Sequence, residues 1–322
     1  MGMLFFALNG SDRLGQQIAR IGGFEVAQHE ERDFDGGEHK ARPLVDVRGH
    51  DVFVLHSLNG DPHASANDKM LRLLFFLATC HEHGAARVTA IAPYLAYSRK
   101  DRQTKPHDPV TTRYVAQLFE ATGVAMVLTL DVHNLAAFQN AFRCRTLHLA
   151  TDGLFATHIA AQSLKQPPAI VSPDPGGVKR AQLVREALEE VTGGSVAFGF
   201  MEKRRSAGIV TGTHFAGDVK GCAVYIVDDM ICGGGTILRA AEAVRAHGAA
   251  EVHPIATHGL LTDAAVLAFS QTTLVDTLTL TDSVAELETA KAKLGDRLHI
   301  LTCAPLIADA IKRLHHPLDG SQ

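Results

Sequence analysis

The chain has 322 residues, 46% hydrophobic and 20% charged, the composition of a globular protein with room for two domains of common size. A net charge of −4 and a pI ≈ 6.5 exclude the global basic bias on which nucleic-acid binders draw, so any anion would be met by a local pocket. The five cysteines are scattered without a Cys-x-x-Cys pair, which suggests neither a disulfide framework nor a thiolate zinc site and fits a reducing cytoplasm.

Met3 to Leu8 is apolar but far shorter than a membrane span and runs into the turn Asn9-Gly10-Ser11, so it is read as a first buried strand, with no membrane partner expected. Short β-rich runs then alternate with amphipathic helices, the pattern of parallel sheets joined by crossover helices. The spacing predicts strands over Asp51 to Ser57, Arg87 to Ala92, Met126 to Leu130, Ala169 to Ser172, Cys222 to Val227, Glu251 to Thr257 and Leu274 to Leu278. Between them, Asn67 to His83 reads as a helix with Met70, Leu71, Leu74, Leu77 and Ala78 on one face, closed by Gly84. Thr236 to Ala246 reads as another, closed by Gly248. A third helix is expected to begin around Asp152.

His83-Gly84-Ala85-Ala86-Arg87-Val88-Thr89-Ala90-Ile91-Ala92 returns as His247-Gly248-Ala249-Ala250-Glu251-Val252-His253-Pro254-Ile255-Ala256, identical at seven of ten positions. Both copies lie where a helix gives way to a strand, about half the chain apart, which points to two similar α/β domains made by duplication. The expected division is 1–150 and 151–305, followed by a C-terminal helix and tail at 306–322.

Ala223 to Val227 is an apolar strand that meets Asp228-Asp229-Met230-Ile231-Cys232-Gly233-Gly234-Gly235-Thr236, with a helix behind. Such a strand, turn and helix makes an anion site: glycines let the backbone approach a phosphate, the helix N-terminus offers N–H groups, and the Thr236 hydroxyl adds a donor. Asp228 and Asp229 are placed to accept from sugar hydroxyls or to hold Mg²⁺ through water. Lys203-Arg204-Arg205 precedes Ser206 to Ala216, a small-residue and polar stretch read as a mobile loop.

The acid pair and small-residue turn resemble the phosphoribosyltransferase-type fold. Further motifs narrow the likeness: Phe34-Asp35-Gly36-Gly37-Glu38, Val47-Arg48-Gly49, Pro93 to Arg102, Asp131-Val132-His133, Ser172 to Arg180, Lys203-Arg204-Arg205 and Gly217-Asp218-Val219 are similar to the successive signatures of ribose-phosphate diphosphokinases. The resemblance covers about residues 4 to 314 and implies two phosphoribosyltransferase-like domains, each a mainly parallel sheet flanked by helices. It also implies Mg-dependent transfer of the diphosphoryl group of ATP to the C1 hydroxyl of ribose 5-phosphate, giving phosphoribosyl diphosphate and AMP.

Residue by residue, the resemblance gives Lys203 and Arg205 a catalytic role, and Phe34, Gly36, Gly37, Glu38, Arg99 and Lys100 to ATP. It gives Asp228, Asp229, Cys232, Gly233, Gly234, Gly235 and Thr236 to ribose 5-phosphate, and His133 and Asp174 to the metal. Because the family's adenine contacts come from a neighbouring subunit, a homo-oligomer is implied, a dimer or a higher assembly such as a hexamer. Gly36 stands where many relatives carry an acid, and Gly233 where a hydroxyl residue is usual. Two other functions fit parts of the pattern: a phosphoribosyltransferase consuming phosphoribosyl diphosphate, which the Asp228 turn alone does not distinguish, and a catalytically silent regulatory homologue, against which Lys203, Arg205, His133 and Asp174 speak.

Overall fold

The computed structural model describes residues 2–162, 165–206, 209–284 and 287–315, with the backbone alone for 203–206 and 209–213. Two compact units emerge, one drawn from residues 1–149, 283–285 and 302–322, the other from 150–282 and 286–301.

The first unit contains β1 (Met3–Ala7), α1 (Asp12–Gly22), β2 (His29–Asp33), β3 (His39–Pro43), β4 (Asp51–Leu55), α2 (Ala66–Glu82), β5 (Arg87–Ile91), α3 (Thr111–Ala121), β6 (Met126–Leu130), α4 (Leu135–Ala141) and β7 (Arg145–Leu149). Its main sheet runs β1-β4-β5-β6-β7, all parallel. Every residue of β4 and β6 is buried, as in a sheet covered on both faces. Alternation assigns the two sides: Val52 and Val54 join Phe76 and Leu77 in one core, while Phe53 and Leu55 join Phe5 and Ile18 in another. β2 and β3 pair apart from this sheet as an antiparallel hairpin.

The second unit contains α5 (Asp152–Ala160), β8 (Pro168–Ser172), α6 (Val178–Thr192), β9 (Ala197–Ser206), β10 (Ile209–Gly217), β11 (Ala223–Ile231), α7 (Gly235–Ala246), β12 (Glu251–Gly259), α8 (Asp263–Gln271), β13 (Leu278–Thr281), α9 (Glu288–Leu294) and β14 (Leu298–Leu301). Its sheet runs β10-β9-β8-β11-β12-β13-β14, with β10 the antiparallel edge. The last helix, α10 (Ala304–His315), belongs to the first unit, where Ala304, Ile307, Ala308 and Ile311 pack with Phe5, Phe53 and Leu128. Asp51, fully buried, accepts from Arg87 and lies 3.1 Å from His315 Nδ1, which ties that helix to the sheet.

The duplication extends to single hydrogen bonds. Strand order 1-4-5-6-7 repeats as 8-11-12-13-14. His83 and His247 each turn Nδ1 to the carbonyl four residues back, at 2.7 and 2.8 Å. Gly84 and Gly248 follow at φ 83 and 86, a left-handed step open to glycine. Their carbonyls accept from Gly49 and Gly221, each at 2.8 Å.

Three expectations need correction. Ser206 to Ala216 is not one loop: Ser206 ends β9, residues 207 and 208 lie outside the described residues, and Ile209–Gly217 is a strand paired with β9, with a register shift between Val210 and Gly212. Its β-branched and aromatic residues outweigh the small ones. Leu274 to Leu278 is not the strand, which starts at Leu278 and ends at Thr281. The Leu274 carbonyl accepts instead from Arg245, and those of Val275 and Asp276 from the Arg297 guanidinium, so these backbone acceptors are met by side chains. Finally, β11 continues to Ile231 and pairs with β12 as far as Gly259, so Asp228 and Asp229 lie within the strand and not in the turn.

Candidate active site

The densest constellation is at the carboxyl end of β11, where open α/β sheets bind ligands. Asp229 is 3% exposed, its N–H donates to Asp228 Oδ1 at 2.9 Å, and Arg180 Nη1 lies 3.6 Å from its Oδ1. Burial first, then the charge of Asp229 and a hydrogen bond shared with it, raise the Asp228 pKa to about 8, against the pull of Arg180. Two carboxyls held this close titrate as a pair and favour any arrangement that adds positive charge or hydroxyl donors.

Ile231 leads into Cys232-Gly233-Gly234, and Gly235 opens α7. Gly234 sits at φ 72, and a Cβ there would come 2.9 Å from the Phe269 ring, so both backbone and space require glycine. Gly233 faces open space, with nothing within 4 Å of a Cβ. The Cys232 carbonyl accepts from Thr262 N–H at 3.2 Å, which fixes the turn against the start of α8. No side chain caps α7 at Gly234. The N–H groups of its first turn therefore have no capping side chain, and with the helix dipole they can receive an anion. Thr236 Oγ1 stands in that turn and accepts from Arg239 Nη2 at 3.3 Å.

Asp174 lies two residues beyond β8, as the cap of the short 3₁₀ turn Pro175–Gly177, with Oδ1 accepting from Gly177 N–H at 2.9 Å. Lys203 and Arg205 belong by backbone to β9, opposite Thr213 and Val210; their side chains lie outside the described residues. In the first unit, His133 is exposed, three residues past the end of β6. The chain reaches it through Asp131, buried at a left-handed φ of 34, a strained step of the kind found at functional turns. Asn134 then caps α4 on Ala137 N–H at 3.1 Å and donates to Asp101 at 2.6 Å.

Phe34 to Glu38 forms the tip of the β2–β3 hairpin, closed by Phe34 N–H to Glu38 C=O at 2.8 Å, with Gly36 and Gly37 at φ 98 and 89. Phe34 is 40% exposed and Arg32 lies over its ring, 5.0 Å from the centroid. Arg99 and Lys100 are exposed beyond β5, in a loop that includes Tyr97 at φ 64. Thr112 Oγ1 pins this loop by donating to the Tyr97 and Lys100 carbonyls, each at 3.1 Å. The hairpin itself, the Arg180–Asp229 pair and the Arg32–Phe34 contact are absent from the sequence reading. A signal existed for the first: Glu30 and Arg42 stand opposite each other on the two strands and bond at 2.8 Å.

Two α/β units of repeated strand order, one carrying an acid pair and a glycine turn, define a phosphoribosyltransferase-like fold. A sequence model of the N-terminal domain of ribose phosphate pyrophosphokinase matches residues 3–123, and one of the phosphoribosyl synthetase-associated domain matches residues 208–321. The ribose-phosphate pyrophosphokinase of Caldanaerobacter subterraneus subsp. tengcongensis is 33% identical, across 98% of this chain and 96% of that one. Its counterpart from Ureaplasma parvum is 35% identical, across 96% and 90%. The crystal structure of phosphoribosylpyrophosphate synthetase from Mycobacterium smegmatis matches with a TM-score of 0.86 at 29% identity, covering 98% of this chain and 99% of that one. The chain belongs to the ribose-phosphate pyrophosphokinase family and is an enzyme of that kind, a transferase of nucleotide biosynthesis. Among the described residues no helix is long and apolar enough to cross a membrane.

Proposed function

We propose that the protein transfers the diphosphoryl group of ATP to the C1 hydroxyl of ribose 5-phosphate, forming phosphoribosyl diphosphate and AMP in a Mg²⁺-dependent reaction in the cytoplasm. The observation that carries this reading is the uncapped, glycine-built start of α7 directly behind Asp228 and Asp229. Backbone N–H groups from Cys232 to Thr236 hold the 5-phosphate, while the carboxylates of Asp228 and Asp229 accept from the ribose hydroxyls and fix the sugar. Phe34 stacks on adenine, Glu38 accepts from its amino group, with Gly36 and Gly37 shaping the turn, and Arg99 and Lys100 meet the ATP phosphates. Lys203 and Arg205 stabilise the negative charge that spreads over the phosphoryl oxygens as the anomeric oxygen attacks the β-phosphorus.

The donor set suits magnesium. Among the described residues no three His, Cys, Asp or Glu side chains form a ready metal cage. That agrees with an ion that keeps most of its waters and completes its shell from one or two protein groups and substrate phosphates. By resemblance those groups are His133 and Asp174. When bound, the ion neutralises phosphate charge and aligns the diphosphate for in-line displacement. A homo-oligomer is also expected: α2 exposes Leu71 and Phe75, and α3 exposes Tyr114 and Leu118, each pair four residues apart on one helix face.

Pure protein incubated with Mg²⁺, ATP and ribose 5-phosphate should release AMP and phosphoribosyl diphosphate in equal amounts. ADP as the only nucleotide product would overturn the proposal in favour of single phosphoryl transfer. Lys203→Ala should lower turnover by on the order of 10²–10³; unchanged turnover would remove that residue from the chemistry.

A further inference from the structure

The β2–β3 hairpin presents Phe34 and Glu38 at its tip, and its other side is tied to the first unit by carboxylates at alternate positions of β2. The Glu31 side chain is 1% exposed. Its Oε1 accepts from Asn9 N–H, in the turn after β1, at 2.6 Å and from His29 Nε2 at 3.0 Å, while Oε2 lies 3.1 Å from His39 Nε2. Two residues on, Asp33 Oδ1 accepts from Arg72 Nη2, on α2, at 2.7 Å and from His39 Nδ1 at 2.9 Å. Glu31 thus joins the hairpin to the β1 turn, and Asp33 joins it to a helix.

Burying a carboxylate is costly unless the surroundings compensate. Burial pushes the Glu31 pKa up, but the His29 hydrogen bond and the Asn9 N–H outweigh it and hold the carboxyl below its usual range. Behind it, His56 is buried and held down to about 3, by burial first and then by Lys69, so this imidazole is neutral. Ser57 N–H donates to Ser11 Oγ at 3.0 Å, and the same oxygen lies 3.3 Å from His56 Nδ1. His56 Nε2 and Arg72 Nε are buried without a hydrogen-bond partner, and Glu31 Oε2 and His39 Nε2 face only each other. Losing the Glu31 carboxylate would leave the Asn9 N–H and the facing ring nitrogens of His29 and His39 without their acceptor.

We propose that Glu31, supported by Asp33, is a positioning residue for the nucleotide: it locks the hairpin to β1 and α2 so that Phe34 and Glu38 are held ready for an adenine base. This rests on the reading of Phe34 and Glu38 as adenine contacts, and it adds residues that touch no substrate.

The test compares full-length Glu31→Ala, Glu31→Gln, Asp33→Asn and Phe34→Ala. Glu31→Ala should raise KM for ATP about tenfold, the loss expected of one charged hydrogen-bond set. KM for ribose 5-phosphate and kcat at saturating ATP should stay within about twofold of the parent. Glu31→Gln, which keeps an acceptor for Asn9, should recover most of the loss. Amide exchange should quicken over residues 29–43 and not in β4 or β5. Should Glu31→Ala not fold, Asp33→Asn carries the test, with the same pattern at about two- to fivefold. Phe34→Ala separates the two readings. If it leaves KM for ATP unchanged, the adenine assignment fails and this inference with it; if it raises that KM while the Glu31 and Asp33 variants do not, the inference alone fails. An equal rise in KM for both substrates with faster exchange throughout would reduce Glu31 to a general stabilising role and would also overturn it.

Discussion

The two units share strand order, helix endings and even the carbonyl partners of Gly84 and Gly248, yet the equivalent connections β4 to α2 and β11 to α7 end differently. In the first unit, Ser65 and Asp68 form a reciprocal capping box, so the helix start is met by the chain's own side chains. In the second, Gly234 caps nothing and the acids stand back within the strand. One scaffold therefore yields a helix start met by its own side chains and one with no capping side chain. What separates them is whether a side-chain oxygen occupies the anion position.

The largest effect should come from making the second connection like the first. Gly233→Asp meets no steric obstacle, and it sets a carboxylate where the sugar phosphate would bind. KM for ribose 5-phosphate should rise on the order of a hundredfold, with the melting temperature nearly unchanged; an unaltered KM would break the contrast between the two helix starts. Thr236→Val keeps the backbone cradle and loses one hydroxyl donor to a charged group, so the same KM should rise about tenfold.

Next comes Asp228→Asn, read through pH. The folded-state pKa is raised above that of an unfolded carboxyl, so the stability tied to this proton is complete below about pH 4 and is lost as pH rises through about 8. Ligand-free protein should lose several degrees of melting temperature between pH 6 and 9, and the asparagine variant should flatten that slope. An unchanged slope would mean that Asp228 and Asp229 are not coupled. Smallest of all, Ser65→Ala should cost about 1 kcal/mol of stability in denaturant unfolding and leave both KM values alone; a change in substrate affinity would show that the first helix start also serves binding.

Much of this was legible in the sequence because parallel strands and crossover helices write strong periods. Met126 to Leu130 matches its strand residue for residue, and α7 begins one residue before the expected Thr236. The acid pair and glycine turn announced the candidate cradle, though not that β11 would run on beneath both acids, because Met230 and Ile231 look the same in a strand or in a turn. The hairpin left no trace in hydrophobicity. His29 to Asp33 holds no apolar residue, and its pairing depends on cross-strand contacts such as Asp33 with His39, which no single-strand pattern reveals. Ser206 to Ala216 misled for the converse reason, since glycine and serine obscured the alternation of Val210, Thr211, Thr213 and Phe215 around a bulge.

The C-terminal helix gives the fold a timetable. Asp51 is translated early, yet one of its partners, His315, comes 264 residues later, and the apolar face of Ile307 and Ile311 that completes the core around Phe5 and Phe53 comes just before it. Residues 150–282 and 286–301, made in between, form a unit of their own and can collapse as they emerge, whereas the first unit lacks α10 against one sheet face until that helix has been made. Premature termination just before Ala304 would thus spare the later-made unit and strand the earlier one.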